Sequence, residues 1–185
     1  MDNHIDPETL SELDPGNYIG YWLFYAQRCS FYAFSEMLKE SCLELGKPYV
    51  VTPPQWGVLI MLYQHDGLTI GSISQARGVD AATMTGIVKR LELSGLVERL
   101  HDQEDRRVVK VYITEEAKQF VPVLAQTVLA FNRTLTQGFS VAEQRDMLAK
   151  LKRLAANVSS VTLATGQGLA SLPEDIRELD TKLLP

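Results

Sequence analysis

The stretch from Leu68 to Thr114, LTIGSISQARGVDAATMTGIVKRLELSGLVERLHDQEDRRVVKVYIT, decides the fold. Leu68, Ile73 and Ala76 recur on one side of a short helix, with Thr69 placed to cap its start. Gly78 supplies a turn, because a left-handed backbone costs glycine little, and Val79 plugs the corner. Asp80 is the next cap, its carboxylate set against free N–H groups and the positive end of a helix dipole. Met84, Ile87, Val88 and Leu91 then repeat at helical spacing and predict a core-facing side. Gly95 ends this helix. Leu96, Val97 and Leu100, then Val109, Val111 and Ile113, predict two short strands joined by a charged tip, His101 to Arg107. The order is helix, turn, helix, two-stranded hairpin.

The side of the second helix opposite the core carries Ala82, Thr83, Thr85, Gly86, Lys89 and Arg90. Short polar groups fit against base edges and cations meet phosphates, so this pattern suits a helix laid in the major groove of double-stranded DNA. The hairpin tip carries Arg106 and Arg107. A solvated tip is charged in any case, but a doubled arginine on a narrow protrusion suits the minor groove, where A·T-rich DNA has enhanced negative potential. Asp105 lies near enough in sequence to brace one arginine by a bidentate ion pair. The candidate DNA-contacting set is Thr69, Asp80, Ala82, Thr83, Thr85, Lys89, Arg90, Arg106 and Arg107, with Asp105 as wing support.

These residues resemble the MarR family of bacterial transcription regulators. The family's wing signature is Asp-x-Arg, three residues, an aliphatic, one residue, an aliphatic, then Thr; Asp105, Arg107, Val111, Ile113 and Thr114 stand in that register. Leu68-Thr69, Gly78-Val79, Thr85, Leu91, Gly95-Leu96-Val97 and Arg99 also fall where the family pattern has them. By helix order the resemblance extends over about residues 17–159. It implies a mainly α fold with a small β-hairpin wing, a winged helix-turn-helix lobe plus a helical dimerisation domain, in a triangular homodimer. It further implies Arg107 as the minor-groove residue, and an effector, often a small phenolic or aromatic acid. Two positions depart from the pattern: Ala82 stands where many members have Ser, and Gly86 where many have a basic residue. Base readout then rests more on Thr83, Thr85, Lys89, Arg90 and the wing.

The rest of the chain frames this module. Residues 1–16 form an acidic arm without the basic and apolar regions of a signal peptide. A long helix is predicted from Asn17 to Leu45, holding eight of the fifteen aromatic residues between Tyr18 and Phe34. They cover more than one face, so a single core contact cannot bury them. One reading sandwiches this helix between its own lobe and a partner subunit. The sharper one places Trp22, Tyr25, Arg28 and Tyr32 in a ligand pocket, with Arg28 meeting a carboxylate. Thr52-Pro53-Pro54-Gln55 opens a hub helix that is apolar nearly all round. Thr114 caps a helix predicted to reach Thr136, with a kink at Pro122 and a stripe of Phe120, Val123, Leu124, Val128 and Phe131. Ser140-Val141-Ala142-Glu143 caps a further helix with Met147, Leu148, Leu151 and Leu154 at coiled-coil-like spacing. The tail after Ser159 predicts a short acidic helix beginning at Pro173. The division read from sequence is 1–16 arm, 17–51 dimerisation and ligand-pocket helix with linker, 52–114 winged helix lobe, 115–158 dimerisation helices and 159–185 extension.

Net charge is −5, which on its face disfavours DNA. Between Arg77 and Lys110, however, seven basic residues meet six acidic ones, so this segment is +1 and the remainder −6. Distribution outweighs the sum, and strong salt sensitivity is expected. No phosphate-binding Gly loop, GxSxG, HExxH or CxxC occurs, and His4, His65 and His101 lie in unrelated loops. The reading is a non-enzyme with no cofactor and no metal, cytoplasmic and without a membrane segment. Cys29 and Cys42 read as buried inert thiols; thirteen residues apart on one helix, they lie about 20 Å apart, too far for a disulfide. Peroxide-sensing relatives carry their cysteine near the position of Tyr21 here. The leading reading is a repressor of MarR type released from a near-palindromic operator by a small aromatic or phenolic effector. A cysteine-based redox regulator, a winged-helix protein-interaction module without DNA binding, and an activator remain the competing readings.

Overall fold

The computed structural model describes residues 14–164, with side chains through residue 158. The arm before residue 14 and the short helix expected after Pro173 lie outside the described residues. A 3-10 turn at Pro15–Asn17, capped by Asp14, leads into α1 (Ile19–Glu44). There follow α2 (Pro53–Gln64), β1 (Leu68–Thr69), α3 (Ile70–Arg77), α4 (Ala81–Leu93), β2 (Val97–His101), β3 (Val109–Ile113), α5 (Glu115–Leu135) and α6 (Val141–Ala164). The fold is mainly α with a small antiparallel wing, as the sequence pattern predicts. No helix among the described residues is long and apolar enough to cross a membrane.

Helix boundaries follow local chemistry. The Thr52 backbone N–H and hydroxyl both donate to the Gln55 side-chain oxygen, at 2.9 and 3.0 Å, and Pro53 opens α2 without losing a bond the helix needs. Thr69 accepts from the Ser72 N–H at 3.1 Å, Thr114 from the Ala117 N–H at 3.2 Å, and Ser140 forms a reciprocal pair with Glu143. Gly78 stops α3 with φ +60°, and Gly95 follows α4 with φ +69°; side chains are disfavoured at both angles.

The core gathers under α2. Val58, Leu59 and Leu62 of that helix are fully buried against Ile73, Met84, Val88, Leu91, Val111 and Leu124. The stripe on α5 comprises Ala117, Phe120, Val121 and Leu124; Val121 takes the place expected of Val123, which is 48% exposed. The helical rows 117, 120, 121, 124 and 128 explain this, since residue 123 falls outside them. The helix continues through Pro122 to Leu135. Gly57 leaves room for the Arg77 guanidinium, which lies where a Cβ would stand and fastens α3 to α2.

The sheet has three strands in the order β1-β3-β2, not the two expected. Leu68, read as helical, pairs with Val111 because the chain is extended as it approaches the Thr69 cap. Asp66 continues this ladder with a side chain, accepting the Ile113 N–H at 2.9 Å across 47 residues of sequence. Replacing Asp66 by Ala orphans that amide, so urea unfolding should register a loss of about 1–3 kcal/mol. Unchanged stability would mean that water replaces the carboxylate without cost.

Candidate nucleic-acid interface

The outer face of α4 and the wing tip are built from different devices. On α4, Met84, Ile87, Val88 and Leu91 are buried, which fixes the helix's rotation about its own axis. Ala82, Thr83, Thr85, Lys89 and Arg90 are therefore exposed together, and Gly86 lies half-buried between them. Asp80 is spent on the cap: it accepts from the Thr83 N–H at 2.8 Å and from the Thr83 hydroxyl at 2.6 Å. Those bonds from Thr83 hold the Asp80 carboxyl below the usual aspartate range. Thr69 is likewise engaged, with the Ser72 hydroxyl 2.7 Å away.

At the wing, the acidic residues shape the backbone. Asp102 accepts from the Glu104 and Asp105 N–H groups at 2.9 and 3.1 Å and pairs with Lys110. The Val108 N–H donates to the Asp105 carbonyl at 2.9 Å, and the Asp102 N–H to the Val108 carbonyl at 2.9 Å. His101 Nδ1 lies 2.8 Å from the Arg106 carbonyl oxygen; a carbonyl only accepts, so Nδ1–H donates. The expected Asp105–arginine brace is replaced by a different contact: Asp105 accepts the Arg107 backbone N–H at 2.9 Å. A carboxylate two residues before an amide closes a local turn more readily than it reaches a long side chain. The result leaves both guanidinium groups exposed, and no ion pair to Lys89, Arg90, Arg106 or Arg107 occurs among the described residues.

Elsewhere the predicted residues are more scattered. Trp22, Tyr25, Arg28 and Tyr32 stand on the exposed N-terminal half of α1, on open surface in the single chain. Trp22 donates its indole N–H to the Gly16 carbonyl at 2.7 Å and meets Tyr25 edge-on at 5.8 Å. Arg28 lies 5.8 Å over the Phe24 ring, and Tyr32 meets Phe31 edge-on. Cys42 is fully buried, and burial pushes its thiol up. Cys29 is exposed, contrary to expectation, because thirteen residues rotate the helix by about 220° and set the two on opposing faces. Among the described residues, no group of three His, Cys, Asp or Glu side chains is placed to hold a metal.

Sequence reasoning missed Asp66, Asp102 and His101 as builders of the wing. The pairing of Asp102 with Glu104 and Asp105 has a local signal, an aspartate two and three residues before free amides; Asp66 has none, because its partner lies across the sheet.

Residues 51–109 match the family model described as MarR family. Over this stretch the chain is similar to MarR-family regulators. It is 29% identical over 107 residues to the HTH-type transcriptional regulator YsmB of Bacillus subtilis, covering 58% of this chain and 73% of that one. It is 28% identical over 142 residues to the HTH-type transcriptional repressor MdtR of the same organism, covering 75% and 92%. A crystal structure described as that of a probable transcriptional regulator from Pseudomonas aeruginosa superposes with TM-score 0.66 at 26% identity, covering 76% of this chain and 99% of that one. These similar proteins are transcriptional regulators, not enzymes.

Two predictions concern the site's construction. The hydrogen bond from Lys110, then those from Asp105 and Glu104, lower the Asp102 carboxyl from 3.8 to about 2. A depressed carboxyl stabilises the folded wing above its unfolded value and ceases to do so as pH falls through about 2. The Glu104 and Asp105 amide resonances should therefore titrate with a midpoint near 2; a midpoint at the ordinary aspartate value would refute the contact. At Gly86 an added Cβ meets Arg90 Nη1 at an ordinary 3.6 Å. Gly86→Ala should accordingly stabilise the helix by about 1 kcal/mol, raising Tm by about 2–4 °C. A lower Tm would expose a contact that the glycine protects.

Proposed function

We propose that this regulator binds double-stranded DNA as a homodimer, acts as a repressor, and is released from a near-palindromic operator by a small aromatic or phenolic acid. The observation that carries the DNA reading is that four cations of this one surface, Lys89 and Arg90 on α4 and Arg106 and Arg107 on the wing, have no carboxylate partner among the described residues. Burial of one face turns the other outward, so α4 would lie in the major groove and Arg107 would enter the flanking minor groove. Thr69, Asp80, Ala82, Thr83 and Thr85 would complete that surface, with Asp105 holding the Arg107 backbone.

The dimer reading rests on α6. None of its described side chains is buried within the chain, yet Met147, Leu148 and Leu151 form an apolar row about 40% exposed. An isolated helix gains too little from its own hydrogen bonds to persist, so a partner must cover that row. The aromatic half of α1 is equally uncovered, and residues 17–51 with 115–158 would form the dimerisation part beside a winged helix at 52–114. Trp22, Tyr25, Arg28 and Tyr32 would line the effector site once the partner closes it, Arg28 supplying the cation for a carboxylate. A ligand there can shift DNA affinity only by its differential affinity for two lobe spacings. MdtR, a relative over most of both chains, is a repressor by name, which favours that sign.

Arg107→Ala should keep the fold, as judged by circular dichroism, and lose roughly 1–3 kcal/mol of specific DNA affinity, about fivefold to over a hundredfold. Wild-type binding by that variant would remove Arg107 from the interface. The double change Leu148→Asp and Leu151→Asp should convert a sedimenting dimer to monomer. A dimer that survives both charges would exclude α6 from the interface.

A further inference from the structure

The hydroxyl protons on α4 are already committed. The Thr83 hydroxyl lies 2.6 Å from Asp80 Oδ2, and the Thr85 hydroxyl 2.7 Å from the Ala81 carbonyl oxygen. A carboxylate and a carbonyl oxygen only accept, so both threonines must donate inward. What they present outward is a methyl group and oxygen lone pairs. Ala82 adds a further methyl, and Gly86 adds nothing. The N-terminal half of this helix thus offers acceptors and methyls and no side-chain donor, while the donors sit further along at Lys89 and Arg90.

From this we propose that Thr83 and Thr85 select A·T base pairs at the centre of each half-site; the inference rests on the DNA-reading role above and specifies its sequence class. In the major groove, adenine presents an N6 amino donor and thymine a C5 methyl, on one pair. The threonine oxygens accept from the former and the methyls pack on the latter. A G·C pair also offers one amino donor, cytosine N4–H, but it has no C5 methyl for the threonine methyls to pack on, so the methyl contact is what favours A·T. Guanine N7 and O6 are acceptors to which nothing on this part of the helix can donate. Gly86, without a side chain, lets the backbone approach the pairs that the threonines read. The bond to Asp80 also makes Thr83 a fixed reader, because its hydroxyl cannot rotate to donate without giving up its partner at the cap.

The test begins with selection from a random duplex library at near-physiological salt, using the full chain. Each thymine of the selected half-site is then replaced singly by uracil, which removes only the C5 methyl. Wild-type protein should lose about three- to fivefold in affinity at one or two thymines, the ratio expected for one buried methyl group. Thr83→Ser and Thr85→Ser keep the hydroxyl and its inward bond but lack the methyl. Each should bind the thymine site that much more weakly and become indifferent to uracil at its own position. Selected sites with G·C at the centre of the half-site, or indifference to uracil at every thymine, would overturn the assignment. Failure to enrich any sequence would overturn the DNA-reading role itself, and this assignment with it.

Discussion

The burial of Met84, Ile87, Val88 and Leu91 under α2 is the constraint on which the rest depends. A helix with one face locked in a close-packed core has no rotational freedom, and its opposite face becomes a fixed template. Everything around it serves that placement. The Gly78 turn sets the angle between α3 and α4, the Arg77 guanidinium over Gly57 ties α3 to the hub, and Leu96 donates its N–H back to Leu91 to close the helix end. A second brace joins the module to α1. Lys47 and Tyr49, in the link between α1 and α2, both bond Glu116 in the first turn of α5, at 2.9 and 3.0 Å. Lys47 also lies 5.1 Å over the Phe120 ring. Burial and the Glu116 carboxylate raise the Tyr49 phenol, and the bond from Lys47 lowers the Glu116 carboxyl. This cluster and the Ser41–Thr127 hydroxyl pair at 2.6 Å join α1 and the link after it to α5.

Electrostatics explain how an acidic chain presents a basic surface. The six acidic residues between Arg77 and Lys110 nearly cancel the seven basic ones by count. Their positions do not cancel. Asp80 faces the α4 amides, Asp102 and Asp105 face wing amides, and Glu92 pairs with Arg99 at 3.0 Å. The cations of the candidate interface have no ion pair among the described residues. Backbone amides thus absorb negative charge that a composition count assigns to repulsion.

The winged helix was legible in the sequence because its signals are local. Thr69, Asp80 and Thr114 cap the helices that follow them, Gly78 and Gly95 take the left-handed angles assigned to them, and one row of four apolar residues fixes the buried face of α4. Longer-range features were not. The third strand depends on Leu68 meeting Val111, and the ladder's extension on Asp66 meeting Ile113, pairings that no window of sequence contains. Asp105 misled because proximity in sequence does not say whether a carboxylate meets an amide or a guanidinium. Cys29 was misread because a cysteine's apolar character says nothing of which helix face it occupies. Trp22, Tyr25, Arg28 and Tyr32 form a site only if another surface closes over them, so neither the sequence nor the single chain defines its walls.

Hydroxyl-radical footprinting on the tightest selected duplex tests the central claim most directly, because it reads the spacing of two rigid heads. Two protected patches on one face of the duplex, with centres about 10 base pairs apart and a minor-groove protection outside each, are what paired α4 helices and wings require. A single asymmetric patch, or an unprotected duplex beside a folded dimer, would contradict the account.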